Sequence, residues 1–94
     1  MLCVDENDLA KVLKSVLGML DKWDDLGMAL GIKVSELNVI EKEKPTLQNR
    51  MKAMLRLWLQ GNGVEPNWQN LCKALRDDLV KRSDIASKIE KDTS

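Results

Sequence analysis

Apolar residues recur along this chain at helical spacing, and the polar residues between them fall on the opposite face of each segment. Leu9, Val12, Leu13, Val16, Leu17 and Leu20 stand at i, i+3, i+4, i+7, i+8 and i+11, which predicts one continuous amphipathic helix with Lys11 and Lys14 outward. Asp5-Glu6-Asn7 precedes it; Asp5 or Asn7 is suited to cap, and the acids favour a helix N-terminus. A second helix is predicted from about Lys22 to Leu30, with Trp23, Leu26 and Leu30 inward, Asp21 as cap and Gly31 as a left-handed stop. Gly27 inside it costs about 1 kcal/mol of helix propensity relative to Ala, so it predicts a close helix crossing that has no space for a side chain.

The third segment is short, capped by Ser35, with Leu37 and Ile40 inward and a break at Pro45 after Glu41-Lys42-Glu43-Lys44. The fourth runs from about Thr46 to Gln60. Leu47, Met51, Met54, Leu55 and Trp58 share one arc, Asn49, Lys52, Arg56 and Gln60 the other, and Leu57 belongs cleanly to neither. Gly61-Asn62-Gly63 is a turn signal, and Pro66 suits the first turn of a fifth helix whose stripe is Trp68, Leu71, Cys72, Leu75 and Leu79. Ser83 or Asp84 caps a sixth that buries Ile85, Ala86 and Ile89, with fraying expected after Lys91. Six amphipathic helices on short connections predict an all-α antiparallel bundle, one domain over residues 1–94 with an ordered core from about 5 to 91.

Composition supports helices and removes several functions. The chain has no Phe or Tyr but three Trp, five Met and many Leu, which favours helix over strand. His is absent, so the commonest general base and metal ligand is missing and no Ser–His–Asp set exists. Asp24 with Asp25, and Asp77 with Asp78, are neighbours that diverge by about 100° on a helix and do not converge on an ion. No phosphate-binding Gly-rich loop appears. The expectation is therefore no catalysis, no cofactor, no metal and no small-molecule substrate. Cys3 and Cys72 lack metal or redox spacing and are expected as free thiols, Cys72 on the core arc. No run of about 20 apolar residues and no signal-peptide pattern occurs, so no membrane insertion and a cytoplasmic setting are expected. Trp23, Trp58 and Trp68 each lie on an apolar arc and are assigned to the core rather than to a ligand site.

Fifteen basic and fifteen acidic side chains cancel. That balance argues against a nucleic-acid partner, whose phosphates reward a basic excess, although a basic fourth helix keeps such a binder as the alternative. The charges are unevenly placed: residues 1–25 carry six acids against three bases, and residues 45–65 carry three bases against one acid. A dipolar layout of this kind suits pairing with another copy or a related domain.

The spacing Trp23-x-x-Leu26-Gly27-x-x-Leu30-Gly31 resembles the second helix of death domains. Leu37-x-x-Ile40 looks like their third helix, Met54-Leu55-x-x-Trp58-Leu59 like the fourth, Trp68-x-x-Leu71-x-x-Ala74-Leu75 like the fifth, and Ile85-Ala86-x-x-Ile89 like the sixth. The order is preserved over nearly the whole chain. Arg76-Asp77-Asp78-Leu79-Val80 is similar to a motif of death effector domains, the related alternative, but a further helix follows it and the tryptophans fit the death domain. Caspase recruitment domains share the layout without the tryptophan pattern.

The resemblance implies a death-fold Greek key. It also implies homotypic partners, self or related, in apoptotic or innate-immune complexes that grow through asymmetric surface pairings. Carried onto this chain, one pairing sets the acidic residues Asp24, Asp25, Glu36 and Glu41 against Lys11, Lys14, Lys52 and Arg56. A second sets Gln60 and the 61–65 loop against Asp78, Lys81 and Arg82, and a third sets residues 41–44 against the loop around Asp21. Leu57, if it projects outward, joins the contact surface.

Overall fold

Local capping decides where the helices of this chain begin, as seen in a computed structural model whose described residues are 4–93. Asp5 opens the first turn, Glu6–Asp8, with a reciprocal capping box: the Asn7 N–H donates to its carboxylate at 2.8 Å, and its own N–H donates to Asp8 at 3.1 Å. Six α-helices follow: α1 Leu9–Ser15, α2 Trp23–Ala29, α3 Val34–Glu43, α4 Leu47–Leu59, α5 Trp68–Leu75 and α6 Ser83–Thr93. No strand occurs among the described residues. The Thr46 hydroxyl caps α4 by accepting from the Asn49 N–H, and the Asn67 side chain caps α5 by accepting from the Asn70 N–H.

Several expectations shift by a residue or a turn. The first stripe is not one helix. The chain leaves the α conformation after Ser15 and continues as the 3-10 segment Leu17–Lys22, interrupted at Met19, where φ is −138°. This kink turns Val16 and Met19 fully inward, into the core, and Leu17 out. Because that segment runs straight into α2, Asp21 does not cap; the cap position is Lys22, without a side-chain bond. Likewise α3 begins at Val34, one residue before Ser35, and Pro66 precedes the Asn67 cap instead of entering α5. Leu47, on the first turn of α4, is exposed. Helix α5 stops at Leu75, so Leu79 is 52% exposed and Val80 takes the core position with no exposure at all.

The stop of α2 matches its sequence. Gly31 has φ +88°, its N–H donates to Met28 O, and the Ile32 N–H donates to Gly27 O, the paired bonds of a Schellman ending. Gly27 lies at a helix crossing: an added Cβ would stand 2.7 Å from Leu37 Cδ2 and 3.0 Å from Met54 Cγ.

One hydrophobic cluster joins every helix, from Val12 and Met19 through Leu26, Met54, Trp58 and Leu71 to Ile89. Helix α4 packs on α1, α2 and α3, α2 also meets α5, and α5 pairs with α6. The contacts α1–α4 and α2–α5 join helices that are not sequence neighbours, which distinguishes a Greek-key bundle from a simple up-and-down one. No charged or polar side chain is buried among the described residues. The Trp58 indole N–H donates to the Val64 carbonyl at 3.0 Å. Charge is thus left entirely to the surface.

Candidate interaction surface

A groove of about 650 Å³ lies between α3 and α4. Helical spacing builds its two walls. Glu36, Val39, Ile40 and Glu43 follow one another along α3, and Lys52, Ala53, Arg56, Leu57 and Gln60 do so along α4. Val39 is 51% exposed and Leu57 half-buried, so the floor is apolar and open to solvent. The walls differ in charge, Glu36 and Glu43 outweighing Lys44 on the α3 side and Lys52 with Arg56 making the α4 side basic, yet neither Lys52 nor Arg56 forms an ion pair with the groove's carboxylates. Arg50 holds the two helices together at their junction: its Nε donates to Lys44 O at 2.8 Å and its Nη2 to Glu41 O at 3.2 Å, satisfying carbonyls at the end of α3.

The residues singled out from sequence therefore fall into different groups. Lys52, Arg56, Leu57 and Gln60 share this groove with Glu36, one of the acids expected on the opposing surface. Asp24 and Asp25 lie on the first turn of α2, and Glu41 is exposed near the end of α3. Lys11 and Lys14 face elsewhere, lining a smaller cleft of about 290 Å³ with Trp68, Ile85, Lys88, Ile89 and Asp92, and the Lys11 ammonium lies 5.9 Å from the Trp68 ring centroid. The expected basic patch is thus split between two clefts.

Near the start of α6, Asp78 is exposed and Lys81 adopts φ +53°. Arg82 is engaged within the chain: its guanidinium donates to both oxygens of Asp84, at 3.1 and 3.2 Å, and to Gly18 O at 3.3 Å. That hydrogen bond holds the Asp84 carboxyl below the usual carboxylate range. Arg76 clasps both oxygens of Glu90 in the same way, at 2.8 and 2.6 Å, and lowers its pKa. Burial, with the nearby Glu90 charge, pushes the Cys72 thiol up against the opposing pull of Arg76, and its Sγ lies 3.6 Å from Ala86 O. Cys72 is free and buried as expected, while Cys3 lies outside the described residues.

Sequence reasoning missed Val39, which stands one step off the Leu37/Ile40 stripe; an apolar residue so placed on a short helix was the available signal. It also missed Arg50 and the Arg76–Glu90 clasp, whose partners carry no local signature. No helix among the described residues is long and apolar enough to cross a membrane.

Comparison with known proteins agrees with this architecture. The model of the family described as Death domain matches residues 6–93. Mouse Ankyrin-1 is 32% identical over 80 residues, which cover 84% of this chain but 4% of that protein, so the chain spans only a small part of this relative's length. No solved structure matches significantly. A family match over nearly the whole chain, on a six-helix bundle with these packing neighbours, shows that the chain belongs to the Death domain family and is a protein–protein interaction module.

Proposed function

We propose that this domain is the homotypic docking module of an apoptotic or innate-immune adaptor or receptor, working in the cytoplasm by joining other death domains into oligomeric complexes. The observation that carries the reading is the outer face of α4. There Lys52 and Arg56 flank the half-buried Leu57, and neither charge pairs with the carboxylates across the groove. Charges left to solvent contribute little to stability, about 0–1 kcal/mol even when paired on a surface, but they steer association and fix register at an interface. Asp24, Asp25 and Glu41 supply acidic counterparts on α2 and α3, and Asp78 and Lys81 stand ready on the α5–α6 connection. Neither docking nor assembly calls for a catalytic group or a cofactor.

The test is a pull-down against a panel of purified death domains, this one included, with unmodified chain and with Lys52→Glu/Arg56→Glu. Capture by the unmodified chain, lost in the reversed variant while its far-UV circular dichroism stays native, is the expected result. Unchanged capture by a natively folded variant would remove α4 from the interface.

A further inference from the structure

The α3–α4 groove has a symmetry property that an evenly charged surface lacks. Its α3 wall carries Glu36 and Glu43 and ends at Lys44, its α4 wall carries Lys52 and Arg56, and its floor is Val39, Ala53 and Leu57, so the α3 wall is net acidic and the α4 wall basic. Consider two copies placed face to face. A two-fold axis running along the groove lays the α3 wall of each copy over the α4 wall of the other, so acid meets base on both sides. An axis across the groove lays α3 over α3 and α4 over α4, and like charges then oppose each other. Only the first arrangement also brings the two apolar floors together with net attraction at the rims, two acids against one base on each α3 wall facing two bases on α4.

We propose that the α3–α4 face is a self-complementary docking surface whose occupant is a second copy of this chain, related by a two-fold axis along the groove. A two-fold interface uses the same patch on both partners, and such contacts close at a dimer instead of growing into a filament. This deepens the homotypic reading and rests on it. The pairing is distinct from the asymmetric one expected from sequence, in which α2 and α3 of one copy meet α1 and α4 of the next.

The face is small. Helix α4 has 13 residues and α3 has 10, so the helices are about 20 and 15 Å long. Two helix widths make the face about 20 Å across, on the order of 400 Å² per copy and about half of a standard interface side. A face of this size belongs with weak, transient contacts, so the dimer is expected only at high protein concentration. Its rim charges are solvent-exposed, so it weakens further as salt shortens the Debye length from about 10 Å at 0.1 M to about 3 Å at 1 M.

Sedimentation equilibrium of the 94-residue chain up to about 1 mM, paired with amide chemical-shift changes over the same dilution series, tests this directly. The expected result is a monomer–dimer equilibrium without larger species, with shifts confined to α3 and α4. Glu36→Lys/Glu43→Lys makes the face wholly basic, and Lys52→Glu/Arg56→Glu leaves it acidic with Lys44 as the one base lining it. Each alone should weaken self-association at least about tenfold, and an equimolar mixture of the two should restore it. The shift map needs no variant, so a variant that fails to fold leaves the test intact. Species beyond the dimer, or shifts spreading to α1 and α2, would overturn the two-fold pairing while the homotypic reading stood. A chain that stays monomeric throughout would overturn it as well, and the panel pull-down would then judge the homotypic reading separately.

Discussion

The contact between the α4–α5 loop and the end of α2 depends on a single missing side chain. Gly63 has φ +139°, and a Cβ placed on it would press against the Leu30 carbonyl oxygen at a separation that real Cβ atoms do not show. That oxygen is the acceptor for the Val64 N–H at 2.8 Å, and the Val64 carbonyl in turn accepts from the fully buried Trp58 indole. Gly63→Ala therefore carries two costs: backbone strain of about 1–3 kcal/mol, and a displaced loop that forfeits a hydrogen bond of about 1 kcal/mol. The sum is about 3 kcal/mol. Gly61→Ala is the control, since Gly61 also has positive φ, +97°, but nothing lies within 4 Å of an added Cβ. It should cost only the conformational penalty, about 1 kcal/mol. For a domain of this size each kcal/mol moves Tm by about 4–8 °C, so thermal unfolding should fall about 15 °C for Gly63→Ala and about 5 °C for Gly61→Ala. Urea midpoints at unchanged m-value supply the free energies. Equal losses in the two variants would refute the reasoning, because the close approach to Leu30 would then contribute nothing beyond backbone conformation.

The α5–α6 connection offers a second contrast: Val80→Ala should cost about 2 kcal/mol, whereas Leu79→Ser should stay within about 0.5 kcal/mol, as read from urea unfolding of each. In a Cys3→Ser background, Cys72 should react with a disulfide reagent at pH 8 at least about 100-fold more slowly than a free thiol, and at the free rate in urea, because the raised pKa and burial leave only transient opening. Glu90 and Asp84 have folded pKa values below their unfolded ones, so the stability they contribute is present above about pH 4 and is lost as pH falls through the folded values. Urea midpoints for the unmodified chain and Glu90→Gln should accordingly converge as pH drops from 6 toward 2.5, and a gap that widened in acid would contradict the Arg76 clasp.

Helix α2 was legible because each of its signals is local: the Trp23/Leu26/Leu30 stripe, the crossing glycine and the Gly31 stop lie within nine residues. Helix α4 was legible from its Met51-to-Trp58 arc for the same reason, and the structure adds Thr46 as its cap. The kink after Ser15 was not. An i, i+3 spacing satisfies a 3-10 turn as well as an α-helix, so Leu9 to Leu20 reads as unbroken, and packing decides that Met19 goes inside and Leu17 does not. Leu79 and Val80 exchanged roles because α5 ends four residues before Leu79, and no local breaker announces that end. On the surface, exposure of Lys52 and Arg56 followed from the helical period. Their sharing a groove with Glu36 and Glu43 did not, since it depends on how α3 lies against α4.

The distribution of charge separates what holds this domain together from what it presents. Its interior contains no charged or polar side chain among the described residues, so the bundle is held by apolar burial and backbone hydrogen bonds. The two bidentate clasps both serve the α6 end: Arg76, just past α5, ties to Glu90, and Arg82, which grips Asp84, also reaches the Gly18 carbonyl. Lys22 adds a bond to Val80 O at 3.0 Å on the same connection. At the α3–α4 junction, by contrast, Arg50 is anchored to the fold through backbone carbonyls, while Lys52, Arg56, Glu36 and Glu43 make no such bond among the described residues. Substituting those four changes the field that an approaching domain meets and leaves the core packing untouched. A bundle arranged in this way can alter its partner choice through exposed charges at little cost to folding, which is what a family built on one scaffold and many pairings requires.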